Sequence, residues 1–242
     1  MPANPVIIPA LKKHTATIIF SHGLGDTSAG WVPLAQALRH KHDYVKWVLP
    51  TAPVQPVTCN GGYKMTSWFD IQELPAPGDP SPIVAEDEKG MLASVGTINK
   101  LISDEVDAGI PSERVIVGGF SQGAVIAYLT GIISERKLGG IVALSGFLGM
   151  ASKVKSGADA KSGWSDAQMK TDHAHKLPVF HGHGTADPVV QFPWGKTTVE
   201  KLRSDLGFEQ IEFKTYPGMG HSFCEEEQAD LEKWLQKNLP PV

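Results

Sequence analysis

The sequence predicts an α/β fold with a mostly parallel central sheet and helices on both faces. Apolar runs of strand length alternate with segments of helical period through most of the 242 residues. This alternation is typical of parallel strands joined by crossover helices, which bury both faces of the sheet. The length suits one domain and no stretch resembles a linker, so we expect a single domain over residues 1–242.

The individual elements follow from the spacing of the apolar residues. We predict strands at 17–20, 45–49, 115–117, 141–144, 178–180 and 210–216, and helices at 31–39, 86–106, 124–134, 193–206 and 225–238. The second helix has the clearest pattern, because its apolar residues recur every three or four positions: Met91, Val95, Ile98, Ile102 and Val106. We interpret this stripe as core packing. The Pro/Gly-rich segment 51–85 and the polar segment 151–176 are predicted to be loops or lids.

Composition and charge argue against several classes of protein. Charged residues make up 20% and apolar residues 41% of the chain, as in ordinary globular proteins. The formal net charge of −4, without a Lys/Arg stripe, argues against a nucleic-acid partner. Cys59 and Cys224 are too few for a disulfide framework and are expected to be reduced. The first residues do not resemble a signal peptide, and no window approaches eighteen apolar residues. We therefore expect a cytoplasmic protein without a membrane span, with a nuclear location as an open alternative.

The segment GFSQG at 119–123 contains the strongest candidate for a catalytic residue. It follows the predicted strand at 115–117 and precedes the predicted helix at 124–134, which is the setting of a nucleophile elbow. In such a turn the serine, here Ser121, projects its hydroxyl, and the positive end of the following helix faces a developing oxyanion. Because Gly-x-Ser-x-Gly is common by chance, the prediction depends on this context.

A serine hydroxyl becomes a good nucleophile when a base accepts its proton and an acid orients that base. Asp187 and His221 follow Ser121 in the chain order expected with an elbow of this kind. Each lies just beyond a predicted strand, at the sheet edge where the carboxyl ends of parallel strands form sites. We therefore predict Ser121, His221 and Asp187 as nucleophile, base and acid.

An acyl-transfer site also needs donors for the oxyanion. The backbone N–H of Gln122, directly after the serine, is one candidate, and that of Leu24, in the glycine-rich loop at 20–26, is the other. Two nucleotide-binding interpretations of the glycines each fail at one residue. A dinucleotide fingerprint needs glycine where Ser28 stands, and a P-loop needs glycine where Val190 stands.

Two His-x-His pairs offer a competing interpretation, a metal site. The pairs lie at 173–175 and 181–183, and together with Asp172 and Asp187 they could supply ligands for zinc. However, Gly, Thr and Ala follow His183, where a metallohydrolase of this type would continue with Asp and His. Paired histidines in loops are more often solvated surface groups, so we predict neither a metal nor another cofactor.

With these motifs the chain resembles the acyl-protein thioesterase/lysophospholipase family of α/β-hydrolases, which is close to the small carboxylesterases. The shared blocks are FSHGLGD at 20–26, PTAP at 50–53, SWFDI at 67–71, GIPSERVIVGGFSQG at 109–123, ALSG at 143–146 and GMGHS at 218–222. The resemblance covers about residues 14–239. The chain departs from the family pattern at Phe147, where tryptophan is common. His181 and His183 both offer a start for the family's His-Gly block, and His183 gives the better register.

The resemblance implies an α/β-hydrolase fold and hydrolysis of fatty acyl thioesters on S-acylated proteins, of lysophospholipid esters, or of both. It assigns nucleophile, base, acid and oxyanion donors to the residues already named, and it implies no cofactor. The partners would be S-acylated proteins or lysophospholipids, with transient contact at a membrane surface. The chain would act as a monomer or a weak homodimer.

An acyl chain requires an apolar trough beside the serine. Candidate lining residues in the nearby loops are Trp68, Ile71, Leu74, Ile83 and Val189, although plain packing would explain any one of them as well. Two other functions stay open: a general carboxylesterase acting on short esters, and a non-catalytic lipid- or protein-binding module on a hydrolase scaffold. The binding module would be indicated by a missing triad member, and all three members are present.

Overall fold

A computed structural model describes residues 4–73, 75, 79, 86–154 and 171–242. In chain order its strands are β1 (Val6–Ile8), β2 (Ala16–Ser21), β3 (Val45–Leu49), β4 (Val54–Val57), β5 (Tyr63–Thr66), β6 (Val115–Phe120), β7 (Gly140–Leu144), β8 (Val179–Gly184) and β9 (Ile211–Tyr216). Strands β4 and β5 pair as a separate antiparallel hairpin, and the other strands form one sheet in the order β1-β3-β2-β6-β7-β8-β9. Strand β1 is antiparallel to β3, and every other neighbouring pair in this sheet is parallel.

Helices cover both faces of the large sheet. They are α1 (Val32–Arg39), α2 (Glu88–Asp107), α3 (Gln122–Ile133), α4 (Phe192–Ser204) and α5 (Glu225–Asn238). Buried residues of α2, α3 and α4 join one apolar cluster, whereas those of α1 and α5 join a second. Neighbouring residues Ile18 and Ile19 of β2 enter different clusters, because side chains of a strand alternate between the two faces. The central strands are therefore buried from both sides, and β7 and β8 are buried at every residue.

The predicted fold class is confirmed, as are the six predicted strands and five predicted helices. The structure adds β1 and the β4–β5 hairpin. Strand β1 has three residues, too few for a visible alternation, and the hairpin contains Pro56 opposite Lys64 in a ladder of which only Val57 is fully buried. The prediction that 51–85 is a loop throughout is therefore wrong for the hairpin. Most of the other predicted loop, 151–176, lies outside the described residues.

No helix in the described part of the chain is long and apolar enough to cross a bilayer.

Candidate active site

Ser121 occupies a tight turn between β6 and α3. Its backbone has φ 54° and ψ −119°, a left-handed conformation that is strained for any residue with a side chain. The two flanking glycines make room for this turn. A Cβ on Gly119 would lie 2.3 Å from the Gly123 backbone, and a Cβ on Gly123 would lie 2.1 Å from the Ser21 carbonyl oxygen. The glycines of the predicted elbow are thus required by close approach of the backbone, and Ser121 lies at the start of α3.

Two hydrogen bonds connect Ser121, His221 and Asp187 in one line. Ser121 Oγ lies 2.9 Å from His221 Nε2, and His221 Nδ1 lies 2.7 Å from Asp187 Oδ2. Asp187 follows β8 and His221 follows β9, so parallel strands bring together residues that are far apart in the chain. The Asp187 side chain is fully buried, whereas 17% of the His221 side chain is exposed.

The second oxygen of Asp187 is also bound. Its Oδ1 accepts the backbone N–H groups of Val189 and Val190, at 2.8 and 2.9 Å. The carboxylate therefore has a fixed orientation, with Oδ2 facing His221. Because an ionised carboxylate can only accept, the His221 proton belongs on Nδ1, and Nε2 is left to accept the proton of the Ser121 hydroxyl. This arrangement can activate a serine for nucleophilic attack.

The glycine-rich loop after β2 lies against the elbow. A Cβ on Gly23 would lie 3.5 Å from the Ser121 Cβ, so this loop reaches the nucleophile. Buried His22 fixes the loop, because its Nε2 accepts the Ala52 N–H at 3.0 Å while its Nδ1 donates to the Gly23 carbonyl at 2.6 Å. Burial lowers the pKa of His22, which favours the neutral ring that this one-donor, one-acceptor pattern requires.

The two predicted oxyanion donors lie beside this junction. Leu24 is in the loop and Gln122 is the first residue of α3, and both line the same cavity as Ser121. Among the described residues, no protein acceptor is recorded for the backbone N–H of either one. Two free donors next to a serine can bind a developing negative charge on an acyl oxygen.

The side chain of Gln122 connects the elbow to the segment 67–69. Its Oε1 accepts the Trp68 backbone N–H at 2.8 Å, and its Nε2 donates to the Phe69 carbonyl at 2.7 Å. The Trp68 indole in turn donates to the His22 carbonyl at 2.8 Å. The SWFD block therefore stabilises the backbone around the serine.

An apolar cavity of about 1350 Å³ opens at Ser121 and His221. It exceeds the roughly 300–1,000 Å³ of an ordinary ligand pocket. Two of the predicted lining residues, Ile71 and Val189, are in its wall. Trp68 is not among the lining residues, because it is buried and bound to the loop as described above. Leu74 and Ile83 lie outside the described residues.

Aromatic residues that the sequence reasoning did not select also form the wall. Trp31, Trp194 and Phe223 come from distant parts of the chain, and no local pattern distinguishes them from core residues. Phe147, where the resemblance departs from the family pattern, does line the cavity and meets Trp194 edge to face, with ring centroids 6.4 Å apart. For Phe147, the departure from the family pattern was the signal available in the sequence.

His181 and His183 are fully buried within β8, so the interpretation as solvated surface groups is wrong for this pair. Periodicity did not reveal this, because the strand continues beyond its predicted end at residue 180. All four ring nitrogens of the pair have protein hydrogen-bond partners. Among the described residues there is no group of three or more His, Cys, Asp or Glu side chains arranged to hold a metal ion.

The chain is similar to known proteins over nearly its whole length. The phospholipase/carboxylesterase family model matches residues 2–239. An acyl-protein thioesterase 1 from Mycosarcoma maydis is 45% identical over 240 residues, covering 94% of this chain and 93% of the relative. One from Yarrowia lipolytica is 40% identical and covers 99% of both chains. The crystal structure of Zea mays acyl-protein thioesterase 2 is 32% identical, with a TM-score of 0.82, and covers 98% of this chain and 99% of that one. This chain therefore belongs to the phospholipase/carboxylesterase family of α/β-hydrolases.

Proposed function

We propose that this protein is a serine hydrolase that removes long fatty acyl groups from S-acylated proteins. The observation that carries the proposal is the hydrogen-bonded line Ser121–His221–Asp187 at the mouth of a large apolar cavity. A serine, a base and an oriented acid suit acyl transfer, and the cavity suits a hydrocarbon chain. The names of the similar proteins from M. maydis, Y. lipolytica and Z. mays support the choice of an acyl protein as substrate.

In the first half of the proposed reaction, the acyl carbonyl binds beside Ser121 with its oxygen near the N–H groups of Leu24 and Gln122. His221 Nε2 accepts the Ser121 proton while Oγ attacks the carbonyl carbon. The tetrahedral oxyanion is stabilised by the two N–H groups and by the positive end of α3. When the C–S bond breaks, His221 returns the proton to the leaving cysteine sulfur, and the acyl group stays on Ser121.

In the second half, water replaces the thiol. His221 accepts a proton from the water, the resulting hydroxide attacks the acyl-enzyme, and the fatty acid leaves as the proton returns to Ser121 Oγ. Asp187 keeps the His221 proton on Nδ1 and stabilises the imidazolium that forms twice in each cycle. None of these steps needs a cofactor.

Several properties of the working protein belong to the same proposal. Lipid-modified substrates lie at membranes, so the protein contacts membrane surfaces transiently, and the chain acts as one domain, as a monomer or a weak homodimer. We also propose a cytoplasmic location, since Cys59 and Cys224 are free thiols, as a reducing compartment favours.

Initial rates on three substrates test this function. They are a palmitoyl-cysteine peptide, lysophosphatidylcholine and p-nitrophenyl acetate. Each rate is measured with one preparation of wild-type protein, with Ser121→Ala and with Ser204→Ala. The last variant is the matched control, because Ser204 is a surface serine on α4. We expect the thioester to be cleaved with the highest kcat/KM, activity to be lost in Ser121→Ala, and Ser204→Ala to behave as wild type. Preference for the lysophospholipid would instead assign a lysophospholipase, and preference for the acetate a short-chain carboxylesterase.

Covalent labelling separates an enzyme from a binding module. A fluorophosphonate should label the wild-type protein at Ser121 and fail to label Ser121→Ala. Folded wild-type protein that takes no label would contradict the catalytic proposal altogether.

A further inference from the structure

A row of three buried side chains leads to the site from the interior of the fold. Tyr128 of α3 and His181 and His183 of β8 are all 0% exposed. The Tyr128 hydroxyl lies 2.6 Å from His181 Nδ1, and His181 Nε2 lies 3.0 Å from His183 Nδ1. At the far end, His183 Nε2 lies 2.8 Å from the Val190 carbonyl oxygen. We call these three side chains the buried relay.

The last contact determines the direction of every hydrogen bond in the buried relay. A carbonyl oxygen can only accept, so His183 must carry its proton on Nε2. A neutral His183 then accepts at Nδ1, which requires His181 to donate from Nε2. His181 in turn accepts at Nδ1, and the Tyr128 hydroxyl donates to it. One backbone carbonyl thus determines the tautomers of two histidines.

Burial keeps both rings in this neutral form. It lowers the pKa of His181 well below the ordinary value, and it lowers the pKa of His183 as well. Apolar rings and a helix backbone enclose the pair. The Phe213 ring meets His181 edge to face at 5.1 Å, the Phe192 ring meets His183 at 6.0 Å, and a Cβ on Gly195 would lie 2.4 Å from His183 Nδ1. Water therefore has little space to replace a missing partner.

The buried relay ends at the acid of the triad. Val190, whose carbonyl binds His183, also donates its N–H to Asp187 Oδ1 at 2.9 Å. In addition, His183 Nε2 lies 3.7 Å from Asp187 Oδ2, the same oxygen that binds His221. A ring N–H directed at this edge holds the backbone of the 187–190 turn and presents partial positive charge to the carboxylate.

We propose that His183 is a positioning residue for Asp187, with its tautomer determined by the Val190 carbonyl and matched by the hydrogen bonds of His181 and Tyr128. This role rests on the proposed function, because it concerns the same triad. The buried relay does not contact the acyl group, so its loss should lower kcat and leave KM nearly unchanged. Groups that orient metal ligands in other enzymes affect activity by about 10- to 100-fold, and a misplacement of about 1 Å costs up to about 100-fold, so we expect an effect of similar size for a group that orients Asp187.

A pair of variants at one position tests the role. His183→Phe keeps a ring but removes both nitrogens, and we expect its kcat to fall about tenfold or more with KM within twofold of wild type. His183→Gln keeps one donor for Val190 and one acceptor for His181, and we expect kcat within about threefold of wild type. His42→Phe is the matched control, because His42 is a buried histidine near the start of β3, which three strands of the sheet separate from β8. If His183→Phe keeps its kcat, or if the Gln and Phe variants lose equally, the positioning role is refuted.

A second measurement does not depend on turnover. Proton NMR of the free protein detects the low-field resonance of the proton between His221 Nδ1 and Asp187 Oδ2. We expect this resonance in wild type, His183→Gln and His42→Phe, and we expect it to shift or broaden in His183→Phe. An unchanged resonance in His183→Phe would overturn the inference, even if the wild-type protein failed to cleave any acyl substrate.

A third variant covers the case in which His183→Phe does not fold. Gly195→Ala changes no hydrogen-bonding group, but its methyl group would press on the contact between His181 and His183. Since alanine otherwise favours a helix over glycine by about 1 kcal/mol, a stable Gly195→Ala protein with reduced kcat supports the role. A stable Gly195→Ala protein with the wild-type kcat and resonance contradicts it.

Discussion

Asp187→Asn is a nearly isosteric change whose effect follows from the hydrogen bonds around this side chain. Oδ1 accepts two backbone N–H groups, so the amide oxygen of asparagine must take that position. The amide NH₂ then faces His221 where Oδ2 now lies, 2.7 Å from Nδ1. His221 must accept at Nδ1 and carry its proton on Nε2. That proton points at Ser121 Oγ, and the hydroxyl loses its base.

We expect Asp187→Asn to lower kcat about 10⁴-fold, because this is the loss found when the catalytic histidine is held in the wrong tautomer. At about 1.36 kcal/mol per factor of ten, this corresponds to about 5.4 kcal/mol of lost transition-state stabilisation. We expect KM to change little, because the Asp187 side chain is fully buried and binds His221 on the ring nitrogen opposite the serine.

The assay is hydrolysis of a palmitoyl-cysteine peptide, followed with a thiol reagent, for wild type, Asp187→Asn and the exposed control Asp205→Asn. Thermal unfolding of each variant shows whether the fold is intact, and ¹⁵N shifts of His221 report which ring nitrogen carries the proton. If Asp187→Asn keeps kcat within tenfold of wild type, or if His221 keeps its proton on Nδ1, the tautomer argument is refuted.

Two further predictions concern a buried acid and the cavity wall. Glu227 is fully buried, neither carboxylate oxygen has a hydrogen-bond partner among the described residues, and burial raises its pKa from the usual 4.5 to about 8. The folded state then keeps a proton that the unfolded chain has lost, so this group's contribution to stability is lost as pH rises from about 5 to 8. In urea unfolding, the free energy of unfolding of Glu227→Gln should rise by about 4 kcal/mol relative to that of wild type as pH rises over that interval. A difference between the two free energies that does not change with pH would contradict this. Ile71→Trp narrows the cavity. Each methylene of the acyl chain that can no longer be buried costs about 0.8 kcal/mol of binding free energy, which lowers kcat/KM roughly fourfold. Rates on C8 to C16 thioesters should fall most for the longest chains, and an equal fall at every length would show that Ile71 does not contact the chain.

Much of the candidate site could be predicted from the sequence because its elements are local. The elbow residues lie within five positions and need glycines for close backbone approach, and Asp187 and His221 lie three and five residues after the ends of β8 and β9. An apolar run marks the approximate position of each strand, so residue order and placement predicted the three partners without a structure, although β8 continues four residues beyond its predicted end at residue 180. Leu24 and Gln122 were predicted on the same basis.

The cavity wall was less accessible to this reasoning. Trp68 was selected as a loop aromatic, but its indole and backbone donate to His22 and Gln122, and it supports the elbow from the core. Trp31 and Trp194 look like ordinary core residues in the sequence, because the local sequence pattern around an aromatic residue is the same in a core and in a cavity wall. Which of the two it becomes depends on the space left by distant elements.

The amino-acid sequence by itself determined the alternation of strands and helices, the tight turn at Ser121 and the order of the triad, since these depend on spacing and on steric limits within short segments. The tertiary structure alone decided which groups meet across the sheet. It turned His181 and His183 from apparent loop residues into a buried pair beside Asp187, and it enclosed the cavity between distant helices and loops. The physical reason is that hydrogen bonds and burial between distant residues depend on the packed arrangement of the whole sheet, and no local pattern encodes that arrangement.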